Sequence, residues 1–401
     1  MKLLKPLLLT ILFVASALTV TYKTELTQLY HTIRLFHQDV IVENFSNLPS
    51  LADHKVIPRA GAVDEFLYDL ADLPEQFEHR DTLLSTADWL KDTNATALLV
   101  VQGQTIRFEQ YLQNTGPKDK RISWSVAKSF LSALFGVAVA NGDIEDLDAA
   151  VTDYVPQLNG SGYEGVSIRN VLQMSSGIYF DEDYADFFSD INRLGRVLAL
   201  GGSFDEFAAS LHSHQPQGIQ MHYVSIDTHV IGMVLRAATG LSIEEYFYRH
   251  LWSKLQTEED AIYITDSLGE PMVLGGLNII TRDYARFGKL YRDYGQLNGE
   301  QIIPRDWLIE SMQTPTEHLV AKRRGDGSVK FGYGYQWWLP LDADDEFMAI
   351  GIYGQFIYVD RKSDLVIVKN SADTRFLENN YESKEKAVSA FRAISRHFSA
   401  S

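Results

Sequence analysis

The apolar positions of this chain change their period along its length, and the changes mark its elements. Thr96 to Val101 is an unbroken apolar run, Gln102-Gly103-Gln104 a tight turn, and Thr105 to Tyr111 an alternating stretch. Together they predict a β-hairpin whose first strand is buried. Lys118 to Gly142 then reads as one apolar helix closed by Asn141-Gly142, with glycine in the position that ends helices in a left-handed turn. Helical periodicity and loops continue to about residue 266, through Val166–Met174, Phe204–His212, Thr228–Thr239 and Ile243–Leu255. Strand character returns at Phe347–Ile352, Gln355–Val359 and Leu365–Asn370. Glu382–Phe398 closes the chain as an amphipathic helix with Ala387, Ala390, Phe391, Ile394 and Phe398 on one face.

This order predicts a sheet assembled from both ends of the chain with a helical region inserted between them. The expected boundaries are 81–118 and 267–401 for an α/β sheet domain, and 119–266 for the helical insertion. Residues 23–80, interrupted by Pro49, Pro58 and Pro74, read as a lead segment wrapping the surface. Residues 1–22 carry a different signal: Lys2 and Lys5 precede an apolar run over 6–22. Ala15-Ser16-Ala17 has the small-x-small form of a signal cleavage site, whereas the run's continuation through Val20 suits an uncleaved anchor. Both readings predict an exported protein, periplasmic or held on the inner membrane facing the periplasm, with membrane association through residues 6–22.

Composition narrows the function. A chain of 401 residues with 45% hydrophobic content has ample core for a globular enzyme. Its net charge of −17 and lack of a clustered basic patch exclude a nucleic-acid partner. The absence of cysteine removes thiol nucleophiles and cysteine metal sites. His212, His214 and His222 lack the spacing and acidic neighbours of a metal site, and the reading calls for no metal or cofactor.

The candidate chemistry sits in Ser125-Val126-Ala127-Lys128. Serine followed three residues later by lysine on a helix brings hydroxyl and amine to one face. A serine needs a neighbouring base, and a desolvated lysine can be one. Ser383-Lys384-Glu385-Lys386 has the same spacing, but its charged surroundings make it a solvated helix start. Tyr223, in Tyr223-Val224-Ser225, can relay protons if held near Lys128, so that either Lys128 or Tyr223 is the operative base. Gly354 and Gln355, between two apolar runs, supply a candidate oxyanion donor: the Gln355 N–H beside that of Ser125.

These residues lie in a series of motifs: Ser123-Trp124-Ser125-Val126-Ala127-Lys128-Ser129, Tyr154-Val155-Pro156, Val171-Leu172-Gln173-Met174-Ser175-Ser176-Gly177, Tyr223-Val224-Ser225, Thr281-Arg282-Asp283-Tyr284-Ala285-Arg286-Phe287-Gly288 and Gly332-Tyr333-Gly334-Tyr335-Gln336-Trp337-Trp338. In order and content the chain resembles the serine β-lactamase-like superfamily, in the branch holding class C-type β-lactamases, serine esterases and 6-aminohexanoate-dimer hydrolases. The resemblance covers about residues 90 to 370. It implies a mainly antiparallel sheet flanked by helices with an inserted all-helical domain, an α/β plus α fold of the β-lactamase/transpeptidase type. It also implies Ser125 as nucleophile, Lys128 as base partner, Tyr223 as acid/base, and an acyl-serine intermediate formed without cofactor.

Two departures bear on the substrate. Where the β-lactamases of the superfamily carry a lysine in their third motif, Ile352 stands here. Where class C enzymes have asparagine in the second, Ser225 stands. Both point toward the esterase and aminohexanoate-oligomer branch, in which an aromatic and an acid of the inserted region meet the substrate. The corresponding candidates are Tyr179 and Asp190, within a region so acidic (Asp181, Glu182, Asp183) that a solvated loop is the competing expectation. The expected activity is hydrolysis of a small-molecule ester or amide. A penicillin-recognising β-lactamase or D-Ala-D-Ala peptidase, and a catalytically silent envelope binding protein, are the alternatives.

Overall fold

The stretch 120–126 joins two sheets, and everything around it serves to hold that junction in place. The computed structural model describes residues 27, 30, 34–376, 378 and 380–399. The apolar run at 6–22, with its signal and anchor readings, lies outside the described residues. In chain order the strands of the two larger sheets are β1 (His54–Ile57), β2 (Leu67–Tyr68), β3 (Ala95–Gln102), β4 (Thr105–Tyr111), β5 (Lys120–Ile122), β6 (Ala261–Ile264), β7 (Leu277–Ile280), β8 (Gly332–Tyr333), β9 (Trp338–Leu339), β10 (Glu346–Gly351), β11 (Gln355–Asp360) and β12 (Leu365–Ser371), beside three short hairpins. The helices used below are α1 (Ile41–Asn47), α2 (Ala127–Asn141), α3 (Asp190–Leu200), α4 (Ser225–Thr239), α5 (Ile243–His250), α6 (Thr281–Arg292) and α7 (Asn380–Ser399).

The main sheet has eight strands in the order β8-β9-β10-β11-β12-β3-β4-β2, antiparallel except for the edge pair β2 and β4. Pairing of β12 with β3 sets Val366 opposite Val101 and Val368 opposite Leu99, so the two ends of the chain meet at the sheet's centre. β3 reads as an unbroken apolar run because both its faces are covered. Leu99 and Val101 face the core shared with α2 and α6, whereas Leu98 and Val100 face Phe391 and Ile394 of α7. Gly288 lets α6 lie directly on the sheet: a Cβ there would stand 2.6 Å from Val366 Cγ1. A smaller sheet, β1-β6-β7-β5, lies beside it.

Two expectations from the sequence need correction. The predicted helix from Lys118 starts only at Ala127. Residues 120–122 are strand β5, with Arg121 paired to Ile279 and Ile122 to Asn278, and Trp124–Val126 form a single 3₁₀ turn before α2. Local propensity favoured helix, but β7 offered those backbone groups a sheet ladder. The lead segment also does more than wrap the surface. Phe45 of α1 meets Trp124 edge-on at 5.4 Å, and Phe36 stacks on Tyr353 at 5.1 Å, so this segment backs the junction itself. By composition Trp124–Asn141 is apolar enough to cross a membrane, but residues 127–138 are buried in the protein's own core.

Candidate active site

Ser125 sits in the turn between β5 and α2, half-buried while nearly all of its neighbours are buried. Trp124 just before it has φ of 44°, a left-handed conformation that costs a bulky residue on the order of 1–3 kcal/mol and must be held by its surroundings. Those surroundings are evident: Ser123 Oγ donates to Trp124 O at 3.0 Å, and the Trp124 ring is enclosed by Phe36, Phe45 and Tyr353. From the other side β10 presses on the turn, since a Cβ on Gly351 would lie 2.5 Å from Ser123 O. The Ser125 backbone is thus clamped between the lead segment and the main sheet.

Lys128, in the first turn of α2, is 1% exposed. Its Nζ donates to Leu274 O at 2.9 Å and to Ser225 Oγ at 3.3 Å, and lies 5.4 Å from the centre of the Tyr223 ring. Burial pushes its ammonium down to about 7, against the opposing pull of Glu182 and Asp227. Tyr223 is stacked on Trp338 at 5.4 Å with Tyr333 at its edge. Burial and the Glu182 charge hold its phenol well above the ordinary value, while a hydrogen bond with the Ser125 side chain acts the other way. Ser125, Lys128 and Tyr223 therefore converge, with Ser225 joining the lysine at the start of α4.

Glu182 completes this cluster, although the sequence placed it in a solvated acidic loop. Its carboxylate accepts the Ser225 N–H at 2.6 Å and the Tyr184 hydroxyl at 2.9 Å, and burial raises its pKa. No sequence signal distinguished it from Asp181 or Asp183. The loop turns inward because the unpaired N–H at the start of α4 needs an acceptor.

Two hollows open from Ser125 and share Ser125, Tyr184 and Ile352 in their walls. One, of about 140 Å³, is lined mostly by apolar side chains, among them Leu35, Leu51, Leu194, Leu198 and Met272. The other, of about 590 Å³, is a groove of mixed lining that sets the charged Glu182 and Lys384 beside Tyr223 and Trp338. The remaining sequence candidates fall differently. Ile352 lines both hollows, but Gln355 lines neither; its side chain is committed to Ser371 O at 2.6 Å and to the N–H groups of Asn370 and Ser371. Gly354, at φ 81°, forms the turn packed on Ser371. The strand that meets the Ser125 turn is β10, whose pairing ends at Gly351, so the backbone beside Ser125 is that of 351–352 and not 355.

Tyr179 and Asp190 are not brought to Ser125. Tyr179 is exposed, with its ring edge against His214 at 5.7 Å. Asp190 accepts the Asp181 N–H at 3.0 Å and pairs with Arg193 at 2.6 Å, shaping the loop that carries Glu182. Lys384 also departs from its expected solvated place: it is 7% exposed, and its amino group lies 4.3 Å from the centre of the Trp338 ring. The remaining motifs brace the site. Ser129 and Ser132 of α2 donate to Gln336 O and Tyr335 O at 2.8 Å, Gln336 bonds Thr228 and Leu172, and Arg282 grips Glu109 with two bonds of 2.7 and 2.8 Å.

Comparison with known proteins agrees with this geometry. Residues 88–386 match the family model described as Beta-lactamase. The chain is 31% identical over 302 residues to the 6-aminohexanoate-dimer hydrolase of Paenarthrobacter ureafaciens, covering 71% of this chain and 76% of that one. Among solved structures, a Bacillus anthracis protein provisionally named a 6-aminohexanoate-dimer hydrolase superposes with a TM-score of 0.80 at 21% identity, over 90% of this chain and 95% of its own. A family VIII carboxylesterase gives 0.56 at 15% identity, over 77% of this chain and 95% of its own. The fold common to these structures is of the β-lactamase/transpeptidase type.

Proposed function

The chain belongs to the beta-lactamase family and is a serine hydrolase, and from that premise we propose that it cleaves a linear ester or amide bond through an acyl-Ser125 intermediate, in the manner of a carboxylesterase or a 6-aminohexanoate-oligomer amidase. The observation that carries this reading is the meeting of Ser125, the buried Lys128 and Tyr223 where an apolar hollow adjoins a groove with charged groups in its wall. Lys128, neutral in an appreciable fraction of molecules near pH 7, takes the Ser125 proton as the serine oxygen attacks the carbonyl carbon. The N–H groups of Ser125 and Ile352 are assigned to the oxyanion. Tyr223, with its phenol kept protonated, passes a proton to the leaving oxygen or nitrogen as the bond to carbon breaks. The Lys128 ammonium returns its proton to Tyr223; water then enters and loses a proton to Lys128 as its oxygen attacks the acyl carbon, and that proton passes to the Ser125 oxygen as the bond to the acid breaks. The apolar hollow suits the acyl half, and the wider groove with charged groups in its wall suits the leaving half.

Ile352 supports the linear substrate over the penicillin-recognising alternative, because an aliphatic side chain offers a substrate carboxylate no charge at that point of the wall. The test is a panel of p-nitrophenyl esters, linear 6-aminohexanoate oligomers and a chromogenic cephalosporin, applied to wild type and Ser125→Ala. Turnover of esters or oligomers that vanishes in Ser125→Ala upholds the reading. Rapid turnover of the cephalosporin with none of the linear substrates overturns it in favour of a β-lactamase. A fluorophosphonate probe that adds no mass to wild type would instead favour the catalytically silent binding protein. The cationic start and apolar run of residues 1–22 support an exported site of action, tested by fusing that segment to a reporter active only outside the cytoplasm.

A further inference from the structure

Three features gather around the openings of the site. The loop leading into α3 carries Phe187 and Phe188, 63% and 78% exposed, with their rings edge to edge at 5.2 Å. On one side of this pair residues 182–185 line the groove, and on the other Ile191, Leu194 and Leu198 line the apolar hollow, so the rings stand on the rim between the two. Acids of the loop turn back onto its backbone: Asp183 accepts the Ala185 N–H at 2.9 Å and Asp186 the Phe188 N–H at 2.8 Å. The Arg196 guanidinium lies 4.2 Å from the centre of the Phe187 ring. Adjacent phenyl rings turned to water with a cation beside them suit a segment that meets an apolar–polar boundary. A second feature is the short basic hairpin in which Lys322–Arg323 pairs with Val329–Lys330, and whose Arg324 and Lys330 line the same groove. Lys322 and Arg323 are exposed on it, and its one acid, Asp326, accepts from the Ser328 N–H and hydroxyl. Burial and the charges of Lys322 and Arg324 draw the Lys330 ammonium down, as crowding of like charges requires. On a chain of net charge −17, this local excess of cations gives the rim of the site a sign opposite to that of the molecule. The last feature is the origin of the lead segment. Leu35 and Phe36 line the apolar hollow, and the apolar run of residues 6–22 ends thirteen residues before Leu35, a distance of at most about 45 Å even when drawn straight.

We propose that this face is a membrane-contact surface: with the apolar run of residues 6–22 in a bilayer, the Phe187-Phe188 rim and the 322–330 hairpin rest on its anionic headgroups, and both openings of the site face the lipid–water interface. The two rings enter the headgroup boundary, while Lys322 and Arg323 pair with lipid phosphate. The tether favours this orientation, because it joins the folded chain at the apolar hollow. The surface goes beyond the hydrolase reading and does not depend on it; it rests on the membrane association of residues 6–22.

The chain has no cysteine, so a single introduced one carries a unique fluorescent label. Phe188→Cys places it on the rim and Gly325→Cys on the hairpin, where an added Cβ meets nothing within 4 Å. Lys362→Cys is the reference, in the turn between β11 and β12 at the end of the main sheet away from Gly351. The full chain is reconstituted in phosphatidylcholine vesicles containing about a quarter phosphatidylglycerol, with a nitroxide quencher on the lipid headgroup. Labels at 188 and 325 should be quenched and the label at 362 spared. Lys322→Glu together with Arg323→Glu, or omission of phosphatidylglycerol, should weaken quenching at 188 several-fold, since each cation near an anionic surface weighs about fivefold in the equilibrium. Phe187→Ser should weaken it at 325. Quenching at 188 and 325 no stronger than at 362 overturns the surface and leaves the membrane association of residues 6–22 standing. Failure of the full chain to float with the vesicles overturns both. A label at 188 that shifts to the blue on raising the protein concentration without lipid assigns the rim to a second copy of the chain and also overturns the proposal. None of these readouts depends on turnover at Ser125.

Discussion

At Lys128, burial and charge act in opposite directions, and burial is the stronger. The ammonium is drawn down to about 7, while the Glu182 carboxylate limits the fall. The acylation rate should therefore rise with pH through about 7 as the neutral amine becomes available, which a pH profile of the acylation burst would show. Glu182→Gln removes the charge that favours the ammonium, so its profile should rise at lower pH than wild type. An unmoved profile would separate Glu182 from the base. Lys128→Ala should reduce acylation by about 10²–10⁴, the usual contribution of a positioned base, and a loss below tenfold would transfer the role to Tyr223. The sequence made Ser125 and Lys128 legible because their spacing and apolar context are local properties, whereas Tyr223, far along the chain, was legible only through the resemblance of the motif series. Glu182 and Lys384 were not legible, because an acid or lysine in a polar stretch has the same sequence whether it faces water or a groove.

At the scale of elements, the site depends on two close approaches. Gly351 lets β10 touch the backbone of the nucleophile turn, and a Cβ there meets Ser123 O at 2.5 Å. Gly351→Ala should shift that strand and lower kcat by about 10²-fold, the scale on which a displacement of about 1 Å acts, with a much smaller effect on Tm. Equal activity in that variant would detach β10 from the oxyanion role. Gly195 of α3 borders the apolar hollow, and nothing lies within 4 Å of a Cβ added to it. Gly195→Leu should therefore fill the hollow and depress turnover of long-chain esters relative to acetates by about tenfold, as the transfer energy of a few methylene groups requires. A chain-length series on the two proteins measures this. These elements were legible where their periodicity was strong, as in β3 and α7. The start of α2 was misplaced because the pairing of β5 with β7 involves residues far apart in sequence.

For the molecule as a whole, enclosing several cations makes stability depend on pH. Lys128, Lys369 and Lys384 are all buried and drawn to about 7, against an ordinary lysine value of 10.5. Between these values the unfolded chain binds more protons than the folded one, so stability rises with pH over that window. Asp227 acts oppositely: burial raises its carboxyl to about 8, and its contribution is lost as pH rises toward that value. Above it the lysines prevail. Tm should therefore increase from about pH 8 to about pH 9, below the range in which the buried tyrosines, held above their ordinary value of 10, begin to act oppositely, and Lys369→Met, which removes one of the three lysines, should flatten the slope. A falling Tm over that range would contradict the burial of these amines. The sequence by itself determined the sheet formed from both chain ends, the buried helix after Ser125, and the placement of Ser125 and a desolvated Lys128 on one side of it, because apolar period and short spacing act within a few residues. Only the tertiary structure decided that the lead segment backs the nucleophile turn, that 351–352 and not Gln355 adjoins Ser125, and that Glu182 and Lys384 face the groove. Those placements depend on contacts between residues tens to hundreds of positions apart, where desolvation and the need for hydrogen-bond partners select one arrangement that no local pattern encodes.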